Sequence, residues 1–260
     1  MTESRSSGPR ENRIQSLRTA FDVVDELESR GGAGVSELAE SMDLPKSTTH
    51  VYLQTLRDAG YVVQEGTEYR LGLRFLAHGG RIRQEMDIYQ VARPVVDELS
   101  RETGEVGTLG VEEGGKRVLL YSSESPDGVF DNSPTGQFTH MHWTALGKAM
   151  LADLSDERVH EIVDEHGLPE ATGRTVTDRE ALLDELETVR ERGYSVEDEE
   201  RREGIKAIGV PIRTAETDGD VAAVSISGPK SRIDRDFEEP NLVDTIQSSV
   251  NVIELRFQHY

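Results

Sequence analysis

Apolar residues early in the chain recur at the spacing of a helix with one apolar side. They are Ile14, Leu17, Ala20, Phe21, Val24 and Leu27. Gly31 ends this predicted helix, and Ser36 is typical of the cap of a second, short helix. Pro45 favours the first position of a third helix, which we expect to end at Gly60. Three helices joined by short turns in this order predict a helix-turn-helix motif.

The third predicted helix has an inner and an outer side. Thr49, Leu53 (or Tyr52 in its place) and Leu56 follow the spacing of positions that face a core. Small polar and cationic side chains near the beginning of a helix are the groups that contact phosphates and base edges in a major groove. Thr49 belongs to both sets. The candidate DNA-binding residues of this helix are Lys46, Ser47, Thr48, Thr49, His50 and Gln54.

A hairpin is predicted directly after the third helix. Apolar and polar residues alternate in 61–64 and 68–71, with a glycine turn between the two segments. A hairpin in this place is a wing, and Arg70 on it is a candidate contact to the DNA backbone, together with Arg10 and Arg13. A small helical domain that binds protein or only dimerises would show the same pattern, so both interpretations stay open at this point.

The rest of the chain alternates strands with helices, which predicts an α+β domain. Residues 73–90 form one predicted helix, in which Gly79 and Gly80 weaken the middle so that a kink or break can form there. Residues 124–140 are predicted to be a loop, and for the charged run 197–203 a solvated turn stays open as an alternative. The predicted strands are 106–112, 117–123, 205–212 and 221–226, and the predicted helices are 91–103, 144–154, 156–165, 178–192 and 234–257.

The negative charge is concentrated in the second part of the chain. The 260 residues include 50 Asp and Glu against 29 Lys and Arg, which gives a net charge of -21. Residues 1–85 carry 11 basic and 13 acidic groups, a net of -2, and residues 86–260 carry 18 and 37, a net of -19. Only five of the basic residues are lysine. This composition is typical of proteins from extreme halophiles, although an ordinary acidic bacterial protein could share it.

Composition excludes several classes of protein. The absence of cysteine excludes a disulfide scaffold, a thiolate zinc site, an iron–sulfur cluster and a cysteine nucleophile. No apolar run approaches the roughly 20 residues that cross a bilayer, and the polar first residues do not form a signal peptide. We therefore expect a cytoplasmic protein without a membrane partner, with a disordered tail at 1–12. No motif of a hydrolase, metalloprotease, P-loop or dinucleotide-binding enzyme occurs, so neither an enzyme nor a cofactor is expected.

Several short motifs together resemble one known family. They are SLRTAFDVV from Ser16, SELA from Ser36, LPKSTT from Leu44, AGY from Ala59, YRLGLR from Tyr69, ALGKA from Ala145, RGY from Arg192, DEE from Asp198, GVPI from Gly209 and AAVSISGP from Ala222. Each motif is weakly specific by itself, but their order and spacing over 14–257 are similar to those of the IclR family of transcriptional regulators.

The resemblance implies a winged helix-turn-helix at 13–72, a linker helix at 73–90 that is part of a dimer interface, and a GAF-like domain at 91–260, an antiparallel sheet with helices on one face. It also implies a regulator that works as a homodimer or homotetramer, binds a double-stranded DNA operator and responds to a small-molecule effector. Two positions depart from the family, which often has arginine where Val51 stands and cysteine where Ala207 stands.

The resemblance also implies an effector pocket in the second domain. Free N–H groups at a helix beginning and hydroxyls that alternate on one strand suit a small organic acid, a keto acid or an aromatic acid. Outward strand residues would be the ordinary alternative for the two serines. The positions carried over from the family are Thr144, Ala145, Glu197, Ile205, Ala207, Ser225 and Ser227.

Two further possibilities come from the residues alone. His140 and His142 stand two positions apart, so they could share a strand face as metal ligands. The remaining ligands would have to come from distant Asp or Glu, and no metal is expected. The main alternative to a transcription factor is a ligand-binding sensor that acts through protein contacts and uses its helix-turn-helix only to dimerise.

Overall fold

The computed structural model describes residues 14–124, 133–213, 221–236 and 242–258. Arg10 and Arg13 lie outside these ranges. Contacts within the chain divide it into two units, which meet between Ile82 and Arg83. None of the described helices is both long and apolar enough to span a bilayer.

The first unit contains the predicted helix-turn-helix and wing. Its core is formed by Val23, Leu27, Leu38, Leu53 and Tyr69, all at most 2% exposed. Within the described residues three short strands form an antiparallel sheet in the order β1-β3-β2. The elements are α1 (Gln15–Arg30), β1 (Ala33–Gly34), α2 (Val35–Ser41), α3 (Lys46–Asp58), β2 (Val62–Glu65), β3 (Glu68–Leu71) and α4 (Arg74–Glu85).

Local backbone chemistry determines where these helices begin and end. Gly31 adopts φ 69°, a left-handed conformation that ends α1 without strain from a side chain. The prediction that Ser36 caps α2 is wrong, because the helix begins at Val35 and the N–H of Gly34 donates to Glu37 Oε2 at 2.8 Å. Pro45 immediately precedes the first residue of α3.

The apolar side of α1 does not face the core along its whole length. Val24 and Leu27 are buried, but Ile14, Leu17 and Phe21 are 69%, 56% and 56% exposed. Helical periodicity identifies an apolar side without showing whether the same chain or another molecule covers it. The predicted helix is present, but only the second half of its apolar side lies in the core of this chain.

The predicted helix at 73–90 is two helices. α4 ends at Glu85 and α5 spans Asp87–Thr103, with Met86 between them in an extended conformation at φ -84° and ψ 114°. Gly79 and Gly80 lie inside α4, so the break is not at the glycines as expected. Met86 packs against the core of the second unit.

The second unit is built on one antiparallel sheet. In the described residues six strands form it in the order β6-β5-β4-β9-β8-β7. Two of them were not predicted as strands, since β6 lies at the end of the predicted loop 124–140 and β7 overlaps the start of the charged run 197–203. The strands are β4 (Val106–Glu113), β5 (Lys116–Ser123), β6 (Phe138–His140), β7 (Ser195–Asp198), β8 (Ile205–Ile212) and β9 (Ala222–Pro229).

Helices cover both faces of this sheet. α5 and α10 pack on one face, where Leu109, Val224 and Ile208 form part of the main core. α6, α7 and α8 form a second core on the other face, next to Ala223. The expectation of helices on one face is therefore wrong. The helices after α5 are α6 (Ala145–Asp153), α7 (Asp156–His166), α8 (Arg179–Arg192), α9 (Lys230–Asp236) and α10 (Leu242–Phe257).

Candidate functional site

A cavity that is partly open to solvent lies between the sheet and the beginning of α6. Six of the seven positions predicted for an effector pocket line it: Thr144, Ala145, Glu197, Ala207, Ser225 and Ser227. Ile205 is not among the lining residues. It is the first residue of β8 and pairs with Pro229, two pairs further along the strands than Ala207 with Ser227.

The pairing of β4, β9 and β8 places the residues of the cavity floor next to one another. Thr108 pairs with Ser225 across β4 and β9, and Val106 pairs with Ser227. Ser227 in turn pairs with Ala207 on β8. Residues paired in this way lie on one face of a sheet. The Thr108 and Ser225 hydroxyls are 2.6 Å apart and hydrogen-bonded, so Ser225 faces the cavity instead of being an outward strand residue.

The beginning of α6 forms another wall of the cavity. Thr144 is its cap, and the Thr144 hydroxyl accepts a hydrogen bond from the Gly147 N–H at 3.0 Å. The Ala145 carbonyl accepts from the Ser195 hydroxyl at 2.5 Å. A Cβ on Gly147 would lie 2.1 Å from the Met141 carbonyl oxygen, so only glycine permits this close approach. These contacts fix a helix N-terminus, which favours anions, beside the cavity.

Two arginines that the sequence analysis did not identify also line the cavity. Arg117 on β5 is 3% exposed, and its Nε donates to Thr139 Oγ1 at 2.8 Å. Arg201 follows β7, and its guanidinium donates to Ser133 Oγ at 2.8 Å. Guanidinium groups bind carboxylates through paired hydrogen bonds. Arg117 could have been found from its inward position on β5, but Arg201 stands in a charged run with no sequence signal of burial.

Glu197 is a buried carboxyl group in the same cavity. It is 4% exposed, and the Arg201 backbone N–H donates to its Oε1 at 3.3 Å. Burial raises the pKa of Glu197 to about 7. The negative charge of Glu200 also raises this pKa, while the Arg201 N–H and charge and the ammonium of Lys148 oppose the shift. Near neutral pH this group therefore changes between a neutral donor and an anion.

A buried ion-pair network connects α6 to the segment that carries Arg201. Lys148 is fully buried, and its ammonium donates to Glu200 Oε1 at 2.7 Å and to Glu185 Oε1 at 2.5 Å. Burial raises the pKa of Glu200, and the Lys148 charge opposes that shift. The Thr175 hydroxyl donates to the Glu200 carbonyl at 2.6 Å. The alternative of a solvated turn at 197–203 therefore does not hold for Glu197 and Glu200, which are buried.

His140 and His142 are both engaged in contacts within the second unit. His142 Nε2 donates to the Pro169 carbonyl at 3.1 Å, and Lys116 Nζ lies 3.0 Å from His140 Nδ1. Burial and then the Lys116 charge lower the pKa of His140 to about 4. Among the described residues no group of three His, Asp or Glu side chains is placed to hold a metal ion.

The candidate DNA-binding residues of α3 have different degrees of exposure. Lys46, Ser47 and His50 are exposed, and Thr48 is half-buried. Thr49 is fully buried and its hydroxyl donates to the Pro45 carbonyl at 3.2 Å, so its side chain cannot contact DNA. The prediction that Thr49 contacts DNA is wrong, because the residue is on the side of α3 that faces the core. These positions leave the beginning of α3 available to a partner.

The polar residues near the wing are engaged within the first unit. Gln54 is half-buried, and its Nε2 donates to the Tyr69 hydroxyl at 3.1 Å. Arg70 is 48% exposed but forms ion pairs with Glu65 at 3.0 Å and Glu68 at 3.7 Å. A phosphate would have to compete with these carboxylates for the Arg70 guanidinium.

Two family models match the chain. The model described as bacterial transcriptional regulator IclR C-terminal matches residues 81–255, and the IclR helix-turn-helix domain matches residues 16–66. The chain belongs to the IclR family of transcriptional regulators. IclR-family members are regulators and not enzymes, and this one combines a DNA-binding helix-turn-helix with the IclR C-terminal domain.

Relatives of this IclR-family chain align over nearly its full length. A probable HTH-type transcriptional regulator, ArcR, from Halobacterium salinarum is 31% identical over 95% of each chain. The crystal structure of the Thermotoga maritima IclR is 27% identical, with a TM-score of 0.76 over 94% of this chain and 99% of that one. An IclR homologue from Microbacterium hydrocarbonoxydans, crystallised with 4-hydroxybenzoate, shares the fold at 23% identity, with a TM-score of 0.76 over 94% and 98% of the two chains.

Proposed function

We propose that this IclR-family regulator binds a double-stranded DNA operator under the control of a small organic or aromatic acid bound in the C-terminal cavity. The observation that carries the proposal is the composition of the cavity, which combines Arg117, Arg201, serine hydroxyls and the beginning of α6. These are the groups that bind a carboxylate. The 4-hydroxybenzoate complex of a protein with the same fold supports this class of ligand.

In this proposal each wall of the cavity has a separate role. A guanidinium and the α6 N-terminus hold the carboxylate, and the Ser225 and Ser227 hydroxyls bond polar groups elsewhere on the ligand. An anionic ligand should bind more tightly when Glu197 is protonated, because a second negative charge in a buried site is costly. Leu119 and Leu146 provide apolar contact for the rest of the acid.

Thermal unfolding with a panel of acids tests the effector site. The panel contains hydroxybenzoates, keto acids and aliphatic acids, because a ligand of the folded state raises its melting temperature. Arg201→Met should weaken the response at least about tenfold in acid concentration, as expected for a lost charged hydrogen bond of roughly 1.5–3 kcal/mol. Arg202→Met is the matched control, since Arg202 is exposed and does not line the cavity. Equal responses of the two variants, or no response to any acid, would contradict the site.

We also propose that the protein is a homodimer through the exposed apolar residues of its first unit, with a homotetramer as the larger possible assembly. Leu17 and Phe21 share one side of α1, Ile14 immediately precedes that helix, and Leu76 and Ile82 on α4 are 69% and 64% exposed. Exposed apolar side chains collected on helices, in a chain with few apolar residues, favour an interface between copies.

Light scattering after size-exclusion chromatography tests the interface. Phe21→Asp should convert the assembly to a smaller one, because a charge would be buried at the contact. Leu255→Asp changes an exposed leucine, 58% exposed, on α10 and should leave the mass unchanged. A wild-type monomer, or a Phe21→Asp protein with the wild-type mass, would contradict the proposal.

The halophile-like composition leads to a proposal about where the protein works and at what salt concentration. A regulator that binds genomic DNA works in the cytoplasm, and the -19 charge of 86–260 is a solubility adaptation to concentrated salt.

Footprinting on the DNA upstream of its own gene, in dilute and concentrated KCl, tests operator binding. Lys46→Glu should weaken binding to all sequences. A folded dimer with no footprint at any salt would instead favour a sensor that acts through protein contacts.

A further inference from the structure

Val51 is an exposed apolar side chain in the middle of the outer side of α3. It is 61% exposed, whereas Thr49 and Leu53 on the inner side are fully buried. At about 100° per residue, Val51 lies roughly 200° around the helix axis from Thr49, opposite the core. Ser47, about one turn earlier on the same side, and the neighbouring His50 are also exposed. Val51 therefore stands at the centre of the surface that α3 offers to a partner.

The chemistry of valine restricts what this position can recognise in DNA. Its side chain has no donor or acceptor, so it adds nothing to binding a phosphate or a base edge through hydrogen bonds. In the major groove the one apolar feature that distinguishes base pairs is the 5-methyl group of thymine. We propose that Val51 contacts a thymine methyl group in each operator half-site and so makes an A·T pair specific at that position. This inference rests on the proposed operator binding.

Electrostatics of the first unit favour a contact of this kind. Residues 1–85 have a net charge of -2, and Arg70 is paired with Glu65 and Glu68. Phosphate contacts lose much of their affinity as salt rises, because they depend on counterion release. An apolar contact between methyl groups does not depend on that release. Specificity at the Val51 position should therefore persist in concentrated salt.

The Val51 side chain can be changed without disturbing the helix. It makes no contact with the core, and its backbone carbonyl accepts from the Thr55 hydroxyl at 2.8 Å. Alanine has a higher helix propensity than valine. Val51→Ala should therefore fold normally, and so should Val51→Thr, which keeps one of the two methyl groups.

Replacing thymine by deoxyuridine in the operator isolates the methyl group. The operator is first defined by footprinting, and deoxyuridine is then placed at one thymine at a time, symmetrically in both half-sites. Wild type should bind one of these operators at least about tenfold more weakly, since each lost methyl contact costs about fourfold. Val51→Ala should bind the thymine and deoxyuridine operators equally, and Val51→Thr should give an intermediate ratio. The pair of changes forms a double-mutant cycle.

A matched control and three outcomes decide the inference. Val252→Ala removes a valine that is 38% exposed on α10 and should keep the wild-type ratio. A clear footprint with no thymine position at which wild type discriminates would overturn the Val51 contact and leave operator binding intact. If Val51→Ala still distinguished the thymine operator from the deoxyuridine operator, another residue would be making the contact with the methyl group. A folded protein without any footprint would overturn operator binding and this inference together.

Discussion

Replacing Glu197 by glutamine should change how the stability of the protein depends on pH. Glutamine has nearly the same shape, and its side-chain oxygen can still accept from the Arg201 N–H. The pKa of Glu197 is about 7 in the folded protein against an ordinary 4.5. Because the folded state holds this proton more tightly, the stabilisation is complete below about pH 4.5 and is lost as pH rises through about 7.

The size of the effect follows from the two pKa values. One pKa unit corresponds to about 1.4 kcal/mol, and most of the loss above pH 6 occurs within one unit of the folded pKa. Wild type should therefore lose about 1 kcal/mol of unfolding free energy between pH 6 and pH 8 through this group. Glu197→Gln should not show that loss. The difference in unfolding free energy between the variant and wild type should therefore shift by the same amount, in favour of the variant, from pH 6 to pH 8.

Urea denaturation at constant salt, at pH 6 and pH 8, measures the effect. Comparing the two proteins at each pH cancels the titration of groups that they share. Glu203→Gln, exposed on the same segment, is the matched control and should track wild type at both pH values. If the difference between wild type and Glu197→Gln were the same at both pH values, the buried, proton-binding state assigned to Glu197 would be refuted.

Further predictions concern the cavity and its supports. Affinity for an anionic acid, measured by calorimetry, should fall about tenfold in wild type from pH 6 to pH 8 as Glu197 ionises, and should change little in Glu197→Gln; the opposite trend would contradict the role of the neutral carboxyl. Lys148→Met should cost about 3–5 kcal/mol in urea denaturation by leaving buried carboxylates unpaired, whereas Lys46→Met, at an exposed lysine, should cost less than about 1 kcal/mol; equal losses would refute the network. Gly147→Ala should abolish folding or the thermal response to acids, since its Cβ would overlap the Met141 carbonyl, and Gly173→Ala, with nothing within 4 Å, should be neutral by circular dichroism.

Much of the architecture followed from local patterns. The three helices, the wing and the strands at 106–113 and 205–212 have clear periodicity and turn residues, so their positions were predictable within a few residues. The break at Met86 was not, because it depends on how that side chain packs against the second unit. β6 and β7 are short and rich in polar residues, and strand pairing within the sheet defines them.

The residues of the candidate site were also predictable only in part. Family motifs identified Glu197, Ser225 and Ser227, which the register of β4, β8 and β9 places around one cavity. Arg201 was missed, because a charged run gives no local sign that one of its members turns inward. The exposure of Phe21 was also unpredictable, since periodicity cannot tell a core from an interface with another copy.

The most direct test is the operator affinity of wild type and Arg201→Met, measured by gel shift against increasing amounts of the acid with the largest thermal shift. For wild type we predict a change of at least about fivefold in operator affinity at saturating acid, in the range of ordinary allosteric coupling. Arg201→Met should bind the operator normally without acid and respond only at higher acid concentrations. An operator affinity of wild type that stays constant while the acid is bound would contradict control of DNA binding by the cavity.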